Sequence, residues 1–91
     1  MFWVYILQCA DGSYYTGHTD NLDMRLASHQ SGEIRGYTST RLPVKLIFSQ
    51  PATTREETIS AERQIKGWSR AKKEAMIRGD WCEVSKLAKS K

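Results

Sequence analysis

The chain opens on an unbroken apolar run, Phe2-Trp-Val-Tyr-Ile-Leu7, with β-branched and aromatic residues on both sides of a period-two pattern. Such a run marks a strand buried on each face, central in its sheet. Cys9-Ala-Asp-Gly-Ser13 has turn chemistry and Tyr14 to His18 is strand-like again, so residues 2–18 read as a β-hairpin. The loop length decides which side chains share a face. A two-residue loop, Asp11-Gly12, would turn Tyr5 and Tyr15 to opposite faces, because a one-residue slip inverts a strand. A three-residue loop, Ala10-Asp11-Gly12 with Gly12 at positive φ, pairs Leu7 with Tyr15 and makes the two tyrosines diagonal neighbours on one face. The three-residue loop is the expectation.

After the hairpin the period becomes helical. Thr19 or Asp20 can cap a helix from Asn21 to about Ser31, stopped by Gly32. Its stripe is Leu22, Arg25, Leu26 and His29, which places two polar groups among two leucines. Residues 33–42 form a loop rich in Gly, Ser, Thr and Arg, and Pro43 opens a third strand, Val44 to Ser49, closed by Pro51. Thr54-Arg-Glu-Glu57 is a capping box for a helix to roughly Trp68, with the stripe Ile59, Glu62, Ile65, Lys66. Ser69 caps a further helix, Arg70 to about Arg78, ended by Gly79. The pattern predicts an α/β (α+β) fold of order β-β-α-β-α-α, a three-stranded antiparallel sheet flanked by helices. One domain spans residues 1–80, and residues 81–91 read as a partly disordered tail.

Composition narrows the class. Ninety-one residues at 40% apolar content support one modest core. Fourteen Lys and Arg against ten Asp and Glu leave a net charge of +4, which suits a polyanionic partner as well as an ordinary surface. Cys9 and Cys82 stand far apart with no CxxC, so both read as reduced thiols of a cytoplasmic protein. The apolar start lacks a basic flank and breaks at Gln8, far short of a membrane span. No Gly-rich phosphate loop, GxSxG or HExxH is present. One constellation remains: Tyr5, Tyr15, Arg25, His29 and Glu62.

On these residues the chain resembles the GIY-YIG nucleases, and among them the small stand-alone bacterial members. Trp3-Val4-Tyr5 is similar to the Gly-Ile-Tyr element, and Tyr15-Thr16-Gly17, ten residues on, to Tyr-Ile-Gly. The family's helix arginine falls on Arg25, the histidine one turn later on His29, and the glutamate of the second long helix on Glu62. Asp11-Gly12-Ser13 and the run Ile65-Lys66…Ser69-Arg70 are further points of likeness to the small members. The chain departs from the pattern at Trp3, Val4 and Thr16, at His18 where many members carry Lys, and in lacking an asparagine beyond the glutamate.

The resemblance implies a metal-dependent endonuclease that hydrolyses DNA phosphodiester bonds with Mg²⁺ or Mn²⁺. DNA is favoured over RNA, and the short chain carries no separate recognition module, so specificity is expected to come from DNA structure or from a protein partner. It implies Tyr5 as base, Tyr15 orienting water or phosphate, His29 anchoring the proton network and Glu62 as metal ligand. Elementary chemistry fits these roles. Arg25 offers a planar fork for a phosphate, and a single carboxylate suits Mg²⁺, which keeps several waters. A phenol of pKa about 10 needs positive neighbours to ionise. Weaker substrate contacts are expected from His18, Tyr37, Thr38, Arg41 and Lys66. Glu62 could equally pair with Lys66 at i, i+4. The alternative is a non-catalytic nucleic-acid-binding or protein-interaction module on the same fold.

Overall fold

The computed structural model describes residues 1–34 and 36–89, so the last two residues of the expected tail lie outside the described residues. Strands β1 (Phe2–Gln8), β2 (Tyr14–Thr19) and β3 (Lys45–Ala52) form one antiparallel sheet in the order β2-β1-β3. Helix α1 (Leu22–Ser31) lies between β2 and β3 in sequence, and α2 (Arg55–Lys66), α3 (Arg70–Ile77) and α4 (Trp81–Lys89) follow.

β1 is central and buried on both sides, as its double-sided apolar run demands. Val4 and Ile6 point to one face, where they meet Ile65 of α2, Ala75 and Met76 of α3 and Val84 of α4. Tyr5 and Leu7 point to the other, with Cys9 and Val44, against Leu22 and Leu26 of α1. The hairpin has the three-residue loop: the Cys9 amide donates to the Ser13 carbonyl at 2.8 Å and Gly12 takes φ 85°. Leu7 therefore faces Tyr15, and Tyr5 faces Gly17. Two arginines clasp the turn. Arg70 donates to the Gly12 carbonyl at 2.9 Å and lies over the Tyr14 ring, while Arg41 pairs with Asp11 at 3.1 Å. The Asp11-Gly12-Ser13 turn and the Ser69-Arg70 run thus act as one fastening.

Four details depart from the sequence expectation. Asn21, not Thr19 or Asp20, caps α1, its side chain accepting from the Met24 amide at 3.2 Å. β3 continues through Pro51, which an edge strand tolerates, and a register shift opposite Ile6 and Leu7 leaves Ile47 as an extra residue. On α2 the inward face is rotated: Thr58 and Ile65 are buried while Ile59 is exposed. Burial of Thr58 is inexpensive because its hydroxyl donates to the Arg55 carbonyl at 2.6 Å.

The fourth departure is the tail. Residues 81–89 form α4, started by the Asp80 side chain accepting from the Glu83 amide at 3.1 Å, with Val84 in the core. Trp81 at its head is exposed.

Candidate functional site

The hairpin register brings Tyr5 and Tyr15 to the α1 face, and Gly17 makes room between them. A Cβ at position 17 would lie 2.6 Å from the Tyr5 hydroxyl and 3.2 Å from the Tyr15 ring. The Tyr-x-Gly spacing therefore has a steric cause. No side chain fits beneath Tyr5.

Helix α1 supplies the partners. His29, 1% exposed, places Nε2 2.9 Å from the Tyr5 hydroxyl, and its Nδ1 lies 2.9 Å from the Thr38 hydroxyl. The Tyr15 ring packs on His29 with centroids 5.2 Å apart, Tyr37 stacks on Tyr15, and the Arg41 guanidinium covers Tyr37 at 3.9 Å. Arg25, one turn before His29, is exposed and near enough for its guanidinium to act on the Tyr5 phenol. A second group sits on β2 and α2, where Glu62 meets the His18 Nδ1 with one oxygen and the Lys66 ammonium, at 2.9 Å, with the other.

The charges follow from this packing. Burial raises the Tyr5 phenol above its ordinary value, and the nearby Arg25 guanidinium opposes that without cancelling it. The Glu62 charge also pushes Tyr5 upward, so the two groups feel each other. Burial, helped by the Arg25 charge, lowers His29, which is therefore a neutral imidazole near pH 7. Burial pushes the Glu62 carboxyl up, but hydrogen bonds and charge from His18 and Lys66 together outweigh it, so Glu62 is ionised.

Tyr5, Tyr15, Arg25, His29, Tyr37, Thr38 and Arg41 thus form one connected unit, and His18, Glu62 and Lys66 a second beside it. Thr38, expected at a substrate surface, is buried against His29. Arg41, expected on a phosphate, is engaged by Asp11, by the Tyr37 carbonyl and by Thr40. Both pairings cross loops whose paths no local pattern reveals. Sequence reasoning also missed Arg55, which shares a small cleft with Arg25 and His18. Its place in the Thr54 capping box was the only signal it carried. Among the described residues no cluster of three or more His, Cys, Asp or Glu could enclose a metal ion, so Glu62 would be a single carboxylate ligand.

This arrangement of a glycine-cradled tyrosine, a helix arginine and histidine and a second-helix glutamate agrees with the match of residues 1–75 to the GIY-YIG catalytic domain. The chain belongs to the GIY-YIG family, a family of nucleases whose members generally use a divalent metal. It is similar to the UPF0213 protein of Streptococcus pneumoniae, 47% identical over 75 residues that cover 82% of this chain and 76% of that one. The UPF0213 protein of Natronomonas pharaonis is 41% identical over 82% of this chain and 88% of its own. Among solved structures, the UPF0213 protein of Bacillus halodurans, determined by solution NMR, superposes with a TM-score of 0.57 at 38% identity. That match covers 96% of this chain and 97% of that one.

Proposed function

We propose that the chain is an endonuclease that uses Mg²⁺ or Mn²⁺ to hydrolyse DNA phosphodiester bonds at Tyr5, Tyr15, Arg25, His29 and Glu62. The observation that carries this reading is the buried Tyr5–His29–Thr38 chain next to an exposed arginine and an ionised carboxylate. A buried phenol with a raised pKa is protonated at rest, so it can accept a proton from water only by passing its own onward. Neutral His29 offers that acceptor at Nε2 when its Nδ1–H donates to Thr38. The water proton then goes to Tyr5 and the Tyr5 proton to His29, as the water oxygen bonds to phosphorus and the P–O bond to the leaving oxygen breaks, that oxygen taking a proton from solvent water. Arg25 holds the phosphate with its fork and offsets the charge that builds there.

Glu62 fits a divalent ion: it is ionised, only 17% exposed, and covered by His18 and Lys66, which are 35% and 52% exposed and so able to withdraw. When bound, such an ion supplies Lewis acidity at the phosphoryl oxygens and eases ionisation of water. The basic surface suits DNA, and the free thiols suit a cytoplasmic setting.

A second reading, a binding module without turnover, is favoured by Glu62 being fully paired within the chain. One experiment separates the two. Branched, flapped, nicked and single-stranded DNA are incubated with wild type and Glu62→Gln, in Mg²⁺, Mn²⁺ and EDTA. The enzyme reading expects metal-dependent cuts by wild type, none by the variant, and DNA affinity kept in both. Wild type that cuts nothing and whose melt ignores both metals leaves the binding module.

A further inference from the structure

We propose that Arg25 and Arg55 bound a second phosphate position, which takes the phosphodiester next to the one that is cut. The inference rests on Arg25 meeting the scissile phosphate. A cleft of about 180 Å³ is lined by Phe2, His18, Thr19, Asp20, Arg25 and Arg55. A second cleft of about 180 Å³ adjoins it on the other side of Arg25, lined by Thr19, Asp20, Asn21, Met24 and Ser28 as well. Arg25 thus stands between two openings, and only the one toward α2 carries another cation.

Arg55 is suited to an anion. It is exposed at the head of α2, and among the described residues neither it nor Arg25 makes an ion pair with a carboxylate. Its guanidinium lies over the Phe2 ring, 5.7 Å from the centroid, a long cation–π contact beside the cleft. Asp20 is the one acidic side chain lining the cleft, against two arginines and His18. Larger clefts of about 400, 350 and 320 Å³ elsewhere carry at most a single lysine, Lys72 or Lys45, and no arginine. A strand carries one charge per about 3.4 Å of axis, so a strand held at Arg25 must bring its next phosphate to one of the two flanking openings. The cationic opening is the favourable one.

Salt-dependent DNA binding, measured by fluorescence anisotropy in EDTA so that nothing is cut, tests the proposal. The probes are single-stranded and duplex oligonucleotides; the proteins are wild type, Arg55→Ala, Arg55→Lys and Arg78→Ala. Arg55→Ala should weaken binding about five- to tenfold and reduce the slope of log K against log salt by about one. Arg55→Lys should keep the slope, and Arg78→Ala, at the exposed C-terminal cap of α3 and not lining the cleft, should change neither. Arg55→Ala leaves the core untouched, so a shared melting temperature confirms the fold. Affinity and slope unchanged in Arg55→Ala overturn the proposal, as does an equal loss in Arg78→Ala, which would mark a diffuse basic surface. Wild type that cuts DNA while Arg55→Ala binds normally sinks this proposal alone. Wild type that binds no probe sinks both it and the nuclease reading. A specific Arg55 effect without any cleavage leaves a phosphate contact at Arg55 but overturns the proposal as stated, because no phosphodiester is cut beside it.

Discussion

Alternate residues of β1 enter two different interiors. Val4 and Ile6 meet Ile65, Ala75, Met76 and Val84, hydrocarbon on hydrocarbon, and the Thr16 hydroxyl beside them is buried without a partner among the described residues. Tyr5, one position away, meets His29 and Thr38, and every polar atom of that chain is paired. The first interior needs volume and tolerates a stray hydroxyl. The second needs each group at one distance and one angle, because low polarity makes an unpaired group costly and a paired one rigid. Stability and chemistry are thus kept on opposite sides of one strand.

Paired substitutions test that division, beginning with the largest effect. Tyr5→Phe should lower kcat by at least about a hundredfold, the scale of a lost acid–base group, with the fold retained by circular dichroism. Tyr15→Phe should cost less. The reverse order would move the base from Tyr5 to Tyr15, the more exposed ring. On the other face Met76→Ala should cost about 2–5 kcal/mol in urea unfolding and leave kcat unchanged wherever the protein is folded. A loss of kcat without a loss of stability would show that the two faces are not independent.

The pH dependence comes next. His29 has a lowered pKa in the fold, so below its ordinary value of 6.5 the unfolded chain binds the proton more readily. Stability should therefore fall as pH drops below about 6.5 and stop falling, for this group, once His29 is protonated in the fold as well. His29→Gln should flatten that segment of the stability profile, and an unchanged profile would contradict a buried neutral ring. Thr38→Val should slow cleavage, and Thr38→Ser should restore it, because serine keeps the acceptor for Nδ1–H. The ¹⁵N shifts of His29 report the tautomer directly, whether or not the protein cuts DNA. The smallest effect is expected at Thr16. Thr16→Val removes the unpaired hydroxyl at constant shape and should raise stability by about 1 kcal/mol.

Whatever depends on neighbours in the chain could be read from the sequence itself. Gly12 and the three-residue loop set the hairpin register, and the register alone put Tyr5 and Tyr15 on one face. Thr54 and Glu57 announced the start of α2, and helical spacing aligned Arg25 with His29. What crosses between elements was decided only in three dimensions. α4 has too few residues to hold a helix by propensity, and its Val84 finds support in the core shared by β1, α2 and α3. Glu62 found His18, 44 residues away, besides the Lys66 that its spacing offered, because β2 and α2 pack together. Thr38 looked like a loop residue open to substrate, yet it lies under His29. A loop's path is set by what it covers, and that surface exists only after the sheet and α1 have closed.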